Sequence, residues 1–523
     1  MKLVYDFKAK DLLINAGGVN GKLLVDNIEN YLSNIKSIDE LMLVLEKATG
    51  FYSFIIELNN NIILGVDCIR SKPLFYTKTD NAFIISDDFF DISKSVEVIK
   101  EKRCEEEFLH SGYISGNKTI YNNIYQVEAG SIVIFSKETL KLELKDYFVF
   151  NHKNIFEISD EVFLEKIDEK FQKAISRAIK FADGRKIVLP LSGGYDSRLI
   201  ALYLRKNGYE NVLCFSYGVI NNAQAKYSHK IAKILDFEWH FVEYTEELWK
   251  KNWSSRIGQD YQKLAFNGAS LPHVQDWLAV KLMFEKGVID NGCVFIPGHA
   301  GDFVAGNHMP LKFDKEIISV EGLLNYILNK NYSNKNITLS KEVLFKDLKK
   351  QLNLDNKKNI TNFEYMNLYE QWIWRERQAK YITNSVRVYE QFGADWWLPF
   401  WDKEFVDLWN HADFSKRKKR HLYIKFVENN FYDFTKIRLG DAGDKASYYL
   451  KFKYFIKRVM PKFLREYIIM KKSKKINNNI LMLESISYNY KELLIDYYCY
   501  NIIGIYSYLF LNGIWGEIKE ENE

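Results

Sequence analysis

Residues 189–198 read LPLSGGYDSR, in which an apolar run meets a Ser-Gly-Gly turn and then an aspartate. The run before the turn, 186–191, has the composition of a buried strand, and the run after it, 198–208, has helical spacing and closes on Asn-Gly. The same alternation of apolar strand and amphipathic helix continues over 211–218, 227–235 and 239–244. Strands and helices that alternate at these lengths predict an α/β fold built on a doubly wound parallel sheet.

The Ser-Gly-Gly turn lies where parallel sheets bind ligands, between the carboxyl end of a strand and the N-terminus of a helix. Gly193 and Gly194 allow the backbone to come close to a polyphosphate, and Ser192 adds a hydroxyl donor. An aspartate at an anion site repels phosphate unless a cation lies between them, so we interpret Asp196 as a Mg²⁺ ligand. The alternative is that the glycines form an ordinary turn and that Asp196 or Ser197 caps the helix.

The string S-G-G-x-D-S between a strand and a helix resembles the signature of N-type ATP-pyrophosphatases, enzymes that split ATP into AMP and pyrophosphate while activating a substrate. The resemblance implies ATP and Mg²⁺ as cofactors. It assigns pyrophosphate binding to the loop, and it places further residues beside the nucleotide. The implied ATP and pyrophosphate contacts are Leu191, Ser192, Gly193, Gly194, Asp196, Ser197, Tyr217 and Gly298.

A second Gly-rich loop follows an apolar run in residues 293–307, CVFIPGHAGDFVAGN. It resembles the S-G-E-G-A-D-E-L-F-G-G loop of asparagine synthetases, whose aspartate holds Mg²⁺ together with the aspartate of the first loop. The resemblance therefore implies that Asp196 and Asp302 bind the same metal. The alternative for this loop is a Gly-rich turn with a capping aspartate.

The chain departs from that family at residues with implied catalytic roles. His299 stands where the synthetases have a glutamate, and Phe303 replaces the acid after the loop aspartate. His299 is either an acid/base or amine-orienting group with a pKa near neutral, or a space-filling side chain. For the family lysine that neutralises developing charge we choose Lys445, with Arg438 as a companion and Lys436 as a rival, although a solvated surface lysine is the alternative for each.

The segment WWLPFWDKEFVDLW, residues 396–409, resembles the P-F-L-D-x-x-L-V segment of the same synthetase domain. Its aromatic side chains are expected to be core residues rather than groups that stack on a ligand, and Asp402 is expected to be structural.

The first 150 residues alternate short apolar runs with turn signals, which predicts a β-rich region with a hairpin over residues 51–67. Segments of this region resemble the glutaminase domain of asparagine synthetases, an αββα domain of the N-terminal-nucleophile type. Those domains attack glutamine with an N-terminal cysteine, whereas this chain begins Met-Lys-Leu and its first cysteine is Cys68. The resemblance implies a degenerate glutaminase-like domain over 1–150 and an ATP-pyrophosphatase domain with a helical C-terminal part over 151–523.

The composition indicates a folded protein with free thiols. A formal charge of +5 over 523 residues gives no case for nucleic-acid binding, and the basic runs 416–420 and 471–475 are interpreted as solvated faces rather than membrane or RNA contacts. Five widely spaced cysteines form no CxxC pair or zinc pattern. No apolar run reaches the length of a membrane span, so a cytoplasmic location is expected.

The sequence thus predicts an ATP-dependent ligase that adenylates a small-molecule or peptide carboxylate and transfers the acyl group to ammonia or an amine, without glutamine hydrolysis in cis. The pattern of losses resembles the asparagine-synthetase-like enzymes of natural-product and surface-polysaccharide tailoring, and a homodimer is possible. Two other functions stay open: asparagine synthesis from free ammonia, and a non-catalytic scaffold that has kept the fold.

Overall fold

The computed structural model describes residues 2–6, 11–15, 19–23, 32, 34–310, 316–333, 340–440 and 502–513. In the N-terminal part, the described strands form two antiparallel five-stranded sheets, with the orders β2-β1-β7-β6-β8 and β10-β9-β5-β4-β3. These strands are β1 (Lys2–Asp6), β2 (Asp11–Asn15), β3 (Val19–Leu23), β4 (Gly50–Leu58), β5 (Asn61–Val66), β6 (Phe75–Lys78), β7 (Ala82–Ser86), β8 (Tyr125–Gln126), β9 (Ser131–Ser136) and β10 (Leu142–Asp146).

The predicted hairpin is present, because β4 and β5 pair in antiparallel register as far as Leu58 opposite Asn61. Asn59 and Asn60 form the turn with φ values of 49° and 61°. Asparagine tolerates the left-handed region better than most residues, and two such residues in sequence give the turn whose twist matches paired strands. The turn chemistry therefore fixes the register of this hairpin.

The two sheets enclose an apolar interior that includes Leu64, Phe83 and Phe135. Helix α1 (Ile38–Lys47) packs on the outer face of the sheet that contains β4, and α2 (Phe89–Ser93) packs on β6 and β7 of the other sheet. Helix α3 (Lys102–Ser111) follows on the α2 side, where its buried Phe108 joins the main core. The N-terminal part is therefore layered as helix, sheet, sheet and helix.

The second part contains a parallel sheet with the order β13-β12-β11-β14-β17, which confirms the α/β class. A separate antiparallel pair joins β15 to β16. The strands are β11 (Ile187–Pro190), β12 (Val212–Gly218), β13 (Glu238–Glu243), β14 (Val294–Phe295), β15 (Ile317–Ser319), β16 (Asn359–Thr361) and β17 (Asp395–Trp396).

Helices surround this sheet and make up most of the described chain after residue 360. They begin with α4 (Asp160–Ala182), whose N-terminus is capped by the Ser159 side chain. The others are α5 (Tyr195–Lys206), α6 (Ala223–Ile234), α7 (Glu246–Trp253), α8 (Arg256–Phe266), α9 (Trp277–Glu285), α10 (Gly301–Val304), α11 (Val320–Asn331), α12 (Lys341–Gln351), α13 (Asn362–Trp372), a π-helix (Ile373–Ile382), α14 (Arg387–Gln391), α15 (Lys403–Asn410), α16 (Phe414–Arg417), α17 (His421–Thr435) and α18 (Ile502–Leu511), with 3₁₀ turns at Thr383–Val386, Pro399–Trp401 and Lys418–Arg420.

The two parts of the chain share buried contacts. Phe51 of β4 packs against Trp396 and Trp397, and its ring centroid lies 5.1 and 4.9 Å from theirs. On the π-helix, the buried Glu376 accepts hydrogen bonds from the backbone N–H of Gly116 at 3.1 Å. The aromatic residues of 396–409 are accordingly buried, as the sequence predicts for a core segment.

Candidate functional site

The two Gly-rich loops leave neighbouring strands. β11 pairs in parallel with β12 on one side and with β14 on the other, so the chain leaves β11 toward one edge of the sheet and returns through β14 on the opposite side. The loops that follow β11 and β14 therefore begin at neighbouring carboxyl ends of the sheet. Open α/β sheets form a crevice for ligands at this position.

Helix α5, which follows the first loop, begins without a side-chain cap. Gly194 is the N-cap residue, and Asp196 and Ser197 lie inside the first turn, so neither is the helix cap. Ser197 instead closes the loop, because its hydroxyl accepts a hydrogen bond from the Ser192 backbone N–H at 3.1 Å. Ser192 Oγ accepts one from Gly194 N–H at 3.2 Å. The capping interpretation is wrong for this loop, because α5 has Gly194 as its N-cap residue and no side-chain cap.

Asp196 contacts groups from two distant segments. Its Oδ2 accepts a hydrogen bond from the backbone N–H of Asp302 at 3.0 Å, and its Oδ1 accepts one from the Tyr423 hydroxyl at 2.7 Å. Burial, followed by repulsion from Asp302, raises the pKa of Asp196 to about 7, although the Tyr423 hydrogen bond and the charge of Arg420 lower it.

The close approach of the two loops depends on glycine at position 298. A Cβ atom there would lie 3.1 Å from Asp196 Cβ and 3.1 Å from the Ser197 backbone nitrogen. Gly301 is similarly crowded, since its Cβ would lie 2.9 Å from the Tyr423 hydroxyl oxygen. The glycines of the second loop therefore bring Asp302 to Asp196 by removing side chains from the contact.

A buried ionic network packs against the second loop. The Arg417 guanidinium donates to the Glu370 carboxylate at 2.6 and 2.9 Å and to the Val304 carbonyl oxygen at 3.0 Å. Arg417 and Glu370 are both fully buried, and His152 lies 2.9 Å from the same carboxylate. The prediction of a solvated face for residues 416–420 is wrong here, because a buried carboxylate and a free helix-end carbonyl draw the arginine inward.

His299 is oriented by Ser385. Its Nδ1 lies 3.1 Å from Ser385 Oγ, and the Ser385 hydroxyl donates its proton to the Ile382 carbonyl oxygen at 2.7 Å. When the Ser385 hydroxyl proton points to the Ile382 oxygen, His299 carries its proton on Nδ1 and Nε2 is an acceptor. The prediction of a pKa near neutral is wrong, because burial and then the neighbouring His273 lower the pKa of His299 to about 4. This imidazole is neutral at physiological pH.

The other predicted site residues have different surroundings. The Leu191 side chain is buried, and its backbone N–H donates to the Phe215 carbonyl oxygen at 2.9 Å. Tyr217 stacks on Tyr244 with ring centroids 5.2 Å apart. The Arg438 guanidinium lies 4.8 Å from the centre of the Tyr432 ring. Lys436 follows α17 and lies 5.9 Å from the same ring, whereas Lys445 lies outside the described residues, as does the basic run 471–475.

Two groups beside Asp196 were not identified from the sequence. Tyr423 lies in an ordinary helical pattern and carries no motif, and Arg420 belongs to the basic run interpreted as solvent-exposed. Arg420 has a left-handed backbone with φ of 58° and forms no ion pair within the described part of the chain. Asp402 has the expected structural role, since it accepts from Arg177 at 2.8 and 2.7 Å and caps α15.

Several further properties concern the described residues only. They contain no group of three or more His, Cys, Asp or Glu side chains placed to hold a metal ion. Cys68, Cys104, Cys214 and Cys293 are free thiols, as predicted. Among the helices described, none combines the length and apolar character needed to cross a bilayer.

No protein-family model and no curated protein matches this sequence. Solved structures match parts of it. Glutamine phosphoribosylpyrophosphate amidotransferase from B. subtilis has 12% identity over 58% of this chain and 59% of its own, with a TM-score of 0.17. NH3-dependent NAD synthetase from Campylobacter jejuni has 15% identity over 38% of this chain and 86% of its own, with a TM-score of 0.20. The chain spans about three fifths of the amidotransferase, and similarity this low assigns neither a family nor a function.

Proposed function

We propose that this protein is an ATP-dependent ligase that adenylates a substrate carboxylate and transfers the acyl group to ammonia or an amine. The observation that carries the proposal is the meeting of an uncapped helix N-terminus with the Asp196 and Asp302 pair at the carboxyl edge of a parallel sheet. A helix N-terminus favours phosphate, and a pair of carboxyl groups favours a divalent cation. Both are needed to bind a nucleoside triphosphate with its metal.

The residues present fit Mg²⁺ bound together with phosphate. Burial and then the charge of Asp302 raise the pKa of Asp196 to about 7, and a cation between the two carboxyl groups would offset that shift. Mg²⁺ commonly takes one or two protein carboxylates and completes its shell with water and substrate phosphates. Asp196 and Asp302 would hold the ion, which would neutralise charge on the departing pyrophosphate.

The proposed reaction has two steps. The substrate carboxylate attacks the α-phosphorus of ATP, the bond to the bridging oxygen breaks, and pyrophosphate leaves with that electron pair. An amine then attacks the acyl carbon, AMP leaves, and the nitrogen loses one proton. Adenylation is needed because a carboxylate is a poor electrophile, whereas AMP is a good leaving group.

The chain supplies groups for both steps. The loop of Ser192, Gly193 and Gly194, with Ser197 behind it, would bind pyrophosphate through backbone N–H groups. Arg420 acts electrostatically on Asp196 and has no carboxylate partner among the described residues, so it would neutralise phosphate charge beside the metal. Lys445 and Arg438 remain proposed for the same task. His299 Nε2 would accept a hydrogen bond from the attacking nitrogen.

Two competing functions make different predictions. Asparagine synthesis from free ammonia requires AMP formation that depends on aspartate, whereas a tailoring enzyme requires another carboxylate. A non-catalytic scaffold releases no pyrophosphate with any substrate. The replacement of the family glutamate by His299 favours the scaffold, and the complete S-G-G-x-D-S string favours an enzyme.

The test is release of pyrophosphate and AMP from Mg-ATP by the purified full chain, with ammonium present. The carboxylate panel comprises aspartate, peptides and nucleotide-linked uronic acids. Release that depends on one carboxylate and disappears in Asp196→Asn would support the ligase. Absence of both ATP binding and pyrophosphate release would contradict it. Asp80→Asn, a change at an exposed turn of the N-terminal part, is the matched control.

A further inference from the structure

A group of buried and half-buried polar side chains lies beside the second loop, outside the residues proposed to bind the nucleotide. We define the Asp276 cluster as Asp276, His273, His299 and Tyr389. Asp276 is 4% exposed, and its Oδ2 accepts a hydrogen bond from the Tyr389 hydroxyl at 2.9 Å. Its other oxygen, Oδ1, is buried without a hydrogen-bond partner and lies 3.5 Å from His273 Nε2.

The cluster is attached to the same sheet edge as the nucleotide loops. The Tyr389 ring stacks on Phe295 of β14 with centroids 4.1 Å apart and planes 8° apart, and the second loop begins just after that strand. His299 belongs to the loop itself, and its charge state is coupled electrostatically to His273, Asp276 and Asp302. The free oxygen of Asp276 is therefore near the groups proposed to act on the acyl carbon.

The cluster has an excess of hydrogen-bond acceptors. Burial lowers the pKa of both His273 and His299 to about 4, so each imidazole is neutral and offers one unprotonated nitrogen. The ionisable groups found to act on the Asp276 carboxyl, or to lie against it, are histidines and tyrosines, among them Tyr389, His299 and His273. A buried acceptor without a hydrogen bond costs free energy. A ligand that donates a hydrogen bond to it recovers that free energy on binding.

We propose that the Asp276 cluster is a binding subsite for an ammonium group. An ammonium group has three N–H donors and a positive charge, which match the unsatisfied Oδ1 of Asp276 and the imidazole of His273, whose Nε2 lies 3.5 Å from that oxygen. A metal ion fits less well, because these side chains are not placed as a metal-ligand set within the described residues. The inference rests on the proposed function, since it assigns the nitrogen side of that reaction.

The ammonium group has two possible sources, free ammonium or the charged amine of a larger substrate. Either can lose a proton to Asp276 Oδ1 before attack, and the neutral Nε2 of His299 can accept a hydrogen bond from the resulting amine. With a pKa lowered to about 4, His299 is suited to orienting the nitrogen rather than to holding its proton.

The first experiment measures binding without turnover. Methylammonium is titrated into the full chain and followed by saturation-transfer NMR, with tetramethylammonium as a cation that has no N–H donor. We expect methylammonium to bind the wild type and Asp80→Asn equally, and Asp276→Asn at least tenfold more weakly. Tetramethylammonium should not displace it. His273→Phe, which removes one acceptor and keeps an aromatic ring, should weaken binding about threefold to tenfold if Asp276→Asn fails to fold.

The second experiment identifies the source through steady-state kinetics. A tenfold rise in KM for ammonium in Asp276→Asn, with kcat and ATP–pyrophosphate exchange retained, assigns the site to free ammonium. The same rise in KM for an amine-bearing substrate assigns it to that substrate. If the wild type forms no AMP with any carboxylate, the proposed function fails while the methylammonium titration still tests the cluster. Absence of methylammonium binding, or equal binding by Asp276→Asn, overturns the proposal and leaves a hydrated structural cluster.

Discussion

The backbone N–H of Asp302 donates to Asp196 Oδ2 at 3.0 Å, although the two residues are 106 positions apart in the chain. The contact joins the loops after two adjacent parallel strands and brings two half-buried acidic residues together. The pKa of Asp196 is raised to about 7, first by burial and then by Asp302. A proton and a divalent cation should therefore compete for this pair.

This competition predicts that divalent cations bind more tightly as pH rises through 7. Asp196 is ionised above its pKa, so the apparent affinity for Mn²⁺, used as a probe in the presence of a non-hydrolysable ATP analogue, should be about tenfold lower at pH 6 than at pH 8. Calorimetry in buffers of different ionisation enthalpy should show close to one proton released per ion near pH 6. In Asp196→Asn the proton release should disappear. A pH-independent affinity in the wild type would contradict the prediction.

Tyr423→Phe should move the same pH dependence upward. The Tyr423 hydroxyl donates to Asp196 Oδ1 at 2.7 Å and thereby lowers the pKa of the carboxyl. Without that donor, the midpoint for Mn²⁺ binding should shift to higher pH, by an amount that corresponds to about 1–2 kcal/mol. Tyr432→Phe, on the exposed side of the same helix, should leave the midpoint unchanged. Equal midpoints for Tyr423→Phe and the wild type would show that the hydroxyl does not act on the site.

Asp196→Asn should stabilise the metal-free protein at alkaline pH. The folded-state pKa of Asp196 is raised from its usual 3.8 to about 7, so protonation favours folding below the unfolded pKa, and this stabilisation is lost as pH rises through 7. The asparagine carries no charge at any pH, so its free energy of unfolding should exceed that of the wild type by a few kcal/mol at pH 8 and by little at pH 4. Urea titrations with chelator at both pH values measure the difference. If Asp196→Asn is less stable than the wild type at pH 8, ionised Asp196 does not destabilise the metal-free fold, and the prediction is wrong.

Gly298→Ala should reduce both stability and nucleotide binding. The new Cβ would lie 3.1 Å from Asp196 Cβ and 3.1 Å from the Ser197 nitrogen, so the loops must separate. We expect a loss of about 1–3 kcal/mol in the free energy of unfolding, together with weaker binding of Mg-ATP. Gly322→Ala is the control, because a Cβ there would meet only side-chain atoms, Ser319 Oγ at 3.2 Å and Ile318 Cγ2 at 3.3 Å, and it lies in a helix, where alanine is favoured. Equal ATP affinity in both variants would show that the loop contact is not needed for the nucleotide.

The sequence predicts those parts of the architecture that follow from local patterns of apolar and turn residues. The parallel sheet follows from apolar runs that alternate with amphipathic helices, and the β4–β5 hairpin follows from its Asn-rich turn. The loops could be placed at one sheet edge because parallel strands end together. The pairing of Asp196 with Asp302 is implied by the resemblance to asparagine synthetases, and the structure brings the two residues into contact.

The partners of those residues could not be predicted in the same way. Tyr423 reaches Asp196 from a helix that shows only an ordinary apolar spacing, and nothing local specifies which helix covers the loop. Burial also changes chemistry that composition cannot reveal. His299 is neutral because it is enclosed, whereas an exposed histidine of the same sequence would titrate near its ordinary pKa. Arg417 appears in the sequence as one of five basic residues, and only packing around Glu370 distinguishes it from Lys418.

Arg417 and Lys418 should therefore respond very differently to the same substitution. Arg417→Met leaves the buried Glu370 carboxylate without its guanidinium and should cost about 3–5 kcal/mol of unfolding free energy at pH 7. Lys418→Met, at an exposed position, should change it by less than about 0.5 kcal/mol.

The pH dependence of the Arg417→Met effect provides a check on its cause. Burial alone would raise the pKa of Glu370, but Arg417 and His152 lower it to about 2. The folded pKa lies below the ordinary value, so the stabilisation is present above pH 4.5 and is lost as pH falls toward 2. The difference in unfolding free energy between the wild type and Arg417→Met should shrink over that range, as measured by urea denaturation. A difference that stays constant from pH 7 to pH 3 would mean that Arg417 acts through packing beneath the Asp302 loop rather than through its charge.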